Sequence, residues 1–213
     1  MASILTTARL VCKDAQARQK AIESFQKIID YTTPNEPEVL QYVCALPYDD
    51  EAGNEIYMIE EYANQAASDA HMVAKPVQDL IQLFATGEIL AQPPEVHNCP
   101  IVNKTMLGST LSISSIPVIA LLNVPSKPNE SIKLRRDWEG FFGKAVSDLE
   151  GLGAILVSED KEAKSIRIEG VLQDDDAFTE FQRVVTANKT DTVEMVRIRP
   201  VCGFVGRVAK SKL

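Results

Sequence analysis

Apolar residues recur along this chain at two spacings, every second position and every third or fourth, and the changes from one to the other mark out its elements. Ile4 to Val11 is rich in β-branched residues and reads as a strand. AQARQKAIESFQKIID (15–30) then spaces Ala21, Ile22, Phe25, Ile28 and Ile29 as one face of a helix, leaving Arg18, Lys20, Glu23 and Lys27 for water. TTPNEP breaks the pattern. VLQYVCAL (39–46) and NEIYMIEEY (54–62) follow as two strands, with the acidic, glycine-containing YDDEAG as their hairpin turn. Pro76 lacks a backbone N–H and disfavours helical angles at Lys75. The sequence therefore predicts one helix from about Gln65 to Ala74 and another from near Pro76 that buries Val77, Leu80, Ile81 and Phe84. A loop holding Pro93, Pro94, His97 and Pro100 leads to a last strand near PIVNKTM (100–106).

From residue 116 the same order returns. IPVIALLNV is a strand; DWEGFFGKAVSDLEG spaces Trp138, Phe141, Phe142, Ala145 and Leu149 as a helix face; GAILVSEDKEAKSIRIEGVL is a hairpin around an acidic turn. DDDAFTEFQRVV starts a helix with aspartates at its favoured end and buries Phe178, Phe181 and Val185, and VEMVRIRPV closes the set. The expected organisation is a first unit over 1–107, a small-residue linker over 108–115, a second unit over 116–208 and a tail over 209–213. Each unit is α+β, an antiparallel sheet with helices on one face, and the bare face needs a cover. The obvious cover is the other unit's sheet, packed face to face.

Charge supports two unlike units. Residues 1–107 hold 7 Lys/Arg against 15 Asp/Glu, a net of -8, while residues 108–213 hold 15 of each. The net of -8 for the whole chain argues against a nucleic-acid partner, which would require clustered cations. Cys12, Cys44, Cys99 and Cys202 lie far apart, with no C-x-x-C pair, as expected of reduced thiols rather than a zinc knuckle or redox dithiol. The longest apolar run, IPVIALLNV, is well short of the ~20 residues a membrane helix needs, so no membrane partner is expected. The chain finishes Ser211-Lys212-Leu213, the tripeptide read by the peroxisomal import receptor; peroxisomal localisation is the expectation, with the cytoplasm as alternative.

Three separated motifs carry a family resemblance over residues 1–107: EPEVLQY (36–42), Glu60-x-Tyr62, and the AASDAHM run ending in His71 and Met72. Together they resemble the antibiotic biosynthesis monooxygenase domain of the dimeric α/β-barrel superfamily. Position 38 is Glu where that pattern usually has glycine. The second half resembles the domain only in element order: matching Glu60 with Glu169 puts Val171 at the tyrosine position and, after a one-residue adjustment, Phe181 near that of the histidine. This implies two ferredoxin-like units closing as an intrachain dimeric α/β barrel, with one working pocket and a degenerate second repeat. The chain would be a monomeric pseudo-dimer or a homodimer.

The resemblance further implies a cofactor-independent monooxygenase that brings dioxygen to an electron-rich small molecule, phenolic, anthrone-like or polyketide-like, as in secondary metabolism. Such chemistry needs a base, a dry cavity and donors for an oxyanion. His71 is the candidate base, since an imidazole is the ordinary side chain suited to proton removal near neutral pH; Tyr62 is the donor or substrate orienter, and Glu60 is expected to fix the imidazole. Tyr42 and the small Ala67 and Ala74 are candidates for lining the substrate space. The plain alternatives are a histidine placed by the helix dipole, a glutamate satisfying backbone donors, and core tyrosines. No metal site is expected, since neither H-E-x-x-H nor an EF-hand loop is present, and no serine nucleophile elbow appears. Glu150-Gly151-Leu152-Gly153 lacks the Lys-Ser/Thr of a phosphate loop, and Arg135-Arg136 reads as a solvated helix start. The first half has no tryptophan of the kind haem-degrading relatives use, which points away from haem. Two other readings keep the pocket: a non-redox cyclase, decarboxylase or isomerase, and a non-catalytic binding protein.

Overall fold

The structure, a computed structural model, describes residues 3–106, 117–127, 131–145, 149–188 and 193–207. The predicted linker 108–115 and the tail residues Ser211, Lys212 and Leu213 lie outside the described residues. In chain order the elements are β1 (Ile4–Val11), α1 (Ala15–Asn35), β2 (Val39–Pro47), β3 (Glu55–Tyr62), α2 (Gln65–Met72), α3 (Lys75–Ala85), β4 (Glu95–Met106), β5 (Val118–Pro125), α4 (Ser131–Ala145), β6 (Leu152–Asp160), β7 (Ser165–Leu172), α5 (Asp175–Asn188) and β8 (Glu194–Phe204). Two compact units result, one of Met1–Asn98 with Pro200–Leu213 and one of Cys99–Arg199, so the divisions fall inside β4 and inside β8.

In the first unit the sheet order is β4-β1-β3-β2, with the end of β8 beside β2. In the second it is β8-β5-β7-β6, with the later part of β4 beside β6. Both are the antiparallel order of a ferredoxin-like unit, in which the strand after the first helix takes an edge and the hairpin return enters the middle. The α+β reading and the repeat both hold.

Alternation along the strands decides which side chains meet the helices. In the first unit Leu10, Tyr42, Cys44, Met58 and Tyr62 join Phe25 in one buried cluster. The helices start on side-chain caps: Asp14 Oδ1 accepts from the Ala17 N–H at 2.7 Å, and Asn64 Oδ1 from the Ala67 N–H at 3.0 Å. Such a cap contributes about 1 kcal/mol. At the β2–β8 edge, Gly203 has φ +121°, and a Cβ there would lie 2.0 Å from the Tyr42 carbonyl oxygen. Only glycine lets the two backbones approach so closely.

Three expectations need correction. The first helix runs through the TTPNEP break to Asn35 with Pro34 inside it. The turn survives because the Thr33 hydroxyl donates to the Ile29 carbonyl (2.6 Å) and the Asn35 amide to the Tyr31 carbonyl (2.7 Å), beside the proline that supplies no N–H. The last strand of the first repeat begins at Glu95 rather than near Pro100, so His97 stands on a strand. Pro100 is tolerated there next to a bulge between Ile101 and Asn103. Ile81 is 42% exposed, because α3 buries the narrower stripe of Val77 and Leu80.

Candidate active site

The β3 residues Ile56, Met58, Glu60 and Tyr62 share one face of the first sheet, and Met58 and Tyr62 belong to the cluster packed under the helices. Glu60 and Tyr62 therefore face α2. Between them lies a cavity of about 530 Å³, lined by residues of the first unit alone. Its inner wall is mostly apolar, including Leu10, Phe25 and Met58, with Glu60 and Tyr62 as its polar groups on β3. Gln65, Ser68, Asp69 and Met72, spaced to share one side of α2, reach it from the helix. Asn98 of β4 reaches it from the other side and accepts a 2.7 Å hydrogen bond from the Thr6 hydroxyl. The size is that of a pocket for a small organic molecule.

The Tyr62 hydroxyl donates to Glu60 Oε2 in a short hydrogen bond. Burial pushes the Glu60 carboxyl above its usual range; the pull of His71 and the Tyr62 hydroxyl oppose that shift without reversing it. Burial, then the neighbouring Glu60 charge, drives the Tyr62 phenol far up, so it keeps its proton. A carboxylate of raised basicity and a fixed hydroxyl donor thus stand side by side on an apolar wall.

His71 is placed differently from the sequence reading. It lies in the last turn of α2, 1% exposed, and its Nδ1 is 2.8 Å from Glu36 Oε2. The same Glu36 oxygen accepts from the Thr32 hydroxyl at 2.6 Å. Burial raises Glu36, but the hydrogen bonds from His71 and Thr32, with the attraction of His71 and Arg207, outweigh it and hold the carboxyl below its usual range. An anionic Glu36 fixes Nδ1 as the protonated nitrogen. The expectation that Glu60 fixes the imidazole is therefore corrected: Glu60 Oε2 is taken by Tyr62, and Glu36, at the C-cap of α1, holds the ring. Glu36 is the first residue of the EPEVLQY motif, which was the available signal.

The imidazole packs between Tyr42 and Tyr62, with ring centroids 5.3 and 5.5 Å away. Neither His71 nor Tyr42 lines the cavity, and nor do the buried Ala67 and Ala74. Of the six sequence candidates the structure brings Glu60 and Tyr62 to the cavity, with His71 and Tyr42 directly behind Tyr62. Thr6, Asp69 and Asn98 line it without having been singled out; Asp69 stood inside the AASDAHM run, two residues before His71, while nothing around Thr6 or Asn98 announces a site. His97 sits with its Nε2 3.0 Å from Glu95, and Arg135 pairs with Glu139 and Glu159 on the second unit. Among the described residues no group of three or more His, Cys, Asp and Glu side chains is arranged to hold a metal ion.

The second repeat can be aligned residue by residue. A shift of 110 positions carries β3 Glu55–Tyr62 onto β7 Ser165–Leu172 and the cap Asn64→Ala67 onto Asp174→Ala177. Glu60 then falls on Gly170, Tyr62 on Leu172 and His71 on Phe181, with no adjustment. Tyr42, paired with Glu60, corresponds to Ile155, paired with Gly170. The match of Glu60 with Glu169 is corrected, since Gly170 and Leu172 face the helix side and alternation sends Glu169 to the other face. An ideal Cβ on Gly170 would stand 3.2 Å from the Phe181 ring, and Phe181 in turn stacks on Phe142 at 6.1 Å. The Phe181 ring thus lies over Gly170, where the first repeat places the Glu60 side chain.

Comparison with known proteins bears on the family of the first unit and on the fold. Residues 4–83 match the family model described as antibiotic biosynthesis monooxygenase. No curated protein sequence matches the chain. Among solved structures, a candidate monooxygenase of Fusobacterium nucleatum superposes with a TM-score of 0.78 at 12% identity, covering 100% of this chain and 99% of that one. A candidate monooxygenase of Lactobacillus acidophilus gives 0.76 at 14% identity over 96% and 97%. An anthrone oxidase-like protein gives 0.67 at 12% identity over 100% and 96%. At such identities the likeness shows the fold alone, and the family match includes Glu60, Tyr62 and the α2 residues of the cavity but not Phe84, Pro94, Val96 and Asn98.

Proposed function

Starting from the match of residues 4–83 to the antibiotic biosynthesis monooxygenase family model, we propose that the chain is a monooxygenase of electron-rich aromatic molecules in which Glu60 is the general base and no external reductant is consumed. The observation that carries this reading is the Glu60 carboxylate, raised in basicity by burial, on the wall of an apolar cavity large enough for a small polycyclic ring system.

Glu60 takes a proton from an acidic C–H or phenolic O–H of the substrate. The resulting anion passes one electron to dioxygen, and the radical pair combines into a carbon–oxygen bond. The peroxide recovers the proton from Glu60 and loses water, leaving a carbonyl where a methylene stood. One oxygen atom enters the product and one leaves as water, so the substrate itself supplies all the electrons. The Tyr62 hydroxyl, which keeps its proton, steadies negative charge on oxygen as it develops. The apolar wall excludes water from the anion. His71 acts from behind Tyr62: held by Glu36, it fixes the tyrosine ring.

The test is oxygen uptake with a panel of anthrones and hydroquinones. The expected result is one dioxygen consumed per new carbonyl formed, with one of its oxygen atoms in the product and no hydrogen peroxide released, without added flavin, nicotinamide or metal; a hydroquinone merely dehydrogenated to its quinone with release of peroxide would count against the reading. Turnover of such a substrate with no oxygen uptake would replace this reading with a non-redox proton transfer in the same cavity.

A further inference from the structure

The cavity's charge is one-sided. Its lining contains two carboxylates, Glu60 on the wall and the exposed Asp69 on α2, and among the described lining residues there is no Lys, Arg or His. We propose that the cavity admits uncharged, hydroxyl-bearing polycyclic aromatics and turns away their carboxylated or phosphorylated counterparts, an inference that rests on this cavity being the substrate site.

An anion moving from water into an apolar pocket loses hydration, and it requires a cation or several donors in exchange. Here it meets like charge instead. The surrounding sequence adds to the effect, since residues 1–107 carry the whole net charge of -8 and set up a field that repels anions before they arrive. The polar atoms left over suit hydroxyl groups. Tyr62 occupies Glu60 Oε2 and Gln65 occupies Asp69 Oδ1 at 2.7 Å, which leaves Glu60 Oε1 and Asp69 Oδ2 as acceptors. The Asn98 carbonyl oxygen is taken by Thr6, which leaves its Nδ2 to donate to a carbonyl. Two acceptors and one donor around an apolar span describe a ring system with hydroxyls and a ring carbonyl.

A matched pair of probes tests this: 1,8-dihydroxyanthraquinone and the same ring system bearing one carboxylate, titrated into the protein at pH 7 and low salt by calorimetry. The neutral probe is expected to bind at least about tenfold more tightly. Asp69→Lys, a change at an exposed position outside the proposed catalytic pair, removes one acceptor and reverses the charge beside the cavity; it is expected to tighten the carboxylate several-fold and to weaken the neutral probe, so that the preference for the neutral probe falls by at least about tenfold. Asp69→Asn should act in the same direction, more weakly. Glu23→Lys makes the same charge change on α1 away from the lining and should leave the ratio within about twofold. Equal binding of the two probes to the native protein, or an equal shift from Glu23→Lys, overturns the selectivity. If neither probe binds, the selectivity and the site fall together. If the neutral probe binds as described but no aromatic substrate consumes oxygen, the oxygenase reading falls and the selectivity stands.

Discussion

Where β3 carries Glu60, β7 carries Gly170; where α2 carries His71, α5 carries Phe181; and Tyr42 and Tyr62 give way to Ile155 and Leu172. The strand order is the same in both repeats, down to the Asx cap that starts the helix after the hairpin, although two helices follow it in the first repeat and one in the second. The chemistry is not. In the second repeat the four polar positions become apolar or lose their side chain, and Phe181, Phe142 and Trp138 pack into one aromatic core. In the first repeat the polar residues are matched to one another: Thr32 and His71 to Glu36, and Tyr62 to Glu60. A cavity beside them stays open. Buried polar groups are stable only as satisfied sets, so a repeat that loses one member gains by replacing the whole set with carbon.

The sharpest way to break this comparison is to remove the proposed base from the first repeat. Glu60→Gln keeps the shape and the Tyr62 contact but not the basicity, and kcat should fall by about 10² to 10⁴, with little loss in thermal stability. In the native protein the acid limb of kcat/KM should lie above the ordinary carboxylate pKa of about 4.3, since burial raises Glu60. The mirror-image change in the second repeat, Phe181→Ala, opens a hole in a packed core and should cost about 3–5 kcal/mol in urea unfolding.

Glu36→Gln gives a smaller, pH-dependent effect. The Glu36 carboxyl is held below its usual range when folded, so its stabilisation is complete above the unfolded pKa of about 4.3 and is lost as pH falls through the lower folded value. The native urea midpoint should therefore drop more steeply below about pH 5 than that of the variant. Smallest of all, Gly170→Ala brings a methyl group to 3.2 Å from the Phe181 ring, and a shift of a few tenths of an ångström should limit the loss to about 1 kcal/mol in the same unfolding assay.

The strands, the paired hairpins and the helix starts were legible because each follows from local spacing, turn residues or a capping side chain. The Pro34 turn was not, because its survival depends on side-chain donors from Thr33 and Asn35 that propensity does not weigh. Of the site, Glu60 and Tyr62 were legible as two residues on one strand face, and their approach to α2 could be known only from the packing. The Glu36–His71 bond joins residues 35 positions apart on different helices, which no periodicity reveals. The error at Glu169 came from aligning like letters; alternation along β7 makes a one-residue slip a change of sheet face.

Hydrogen exchange with 1,8-dihydroxyanthraquinone added measures the contrast between the repeats most directly. Protection is expected in peptides spanning β3 and α2, residues 55–72, with none in the matching peptides of β7 and α5, residues 165–188. Protection confined to 165–188, or shared equally by both repeats, would contradict the assignment of a working cavity to the first repeat and a filled core to the second.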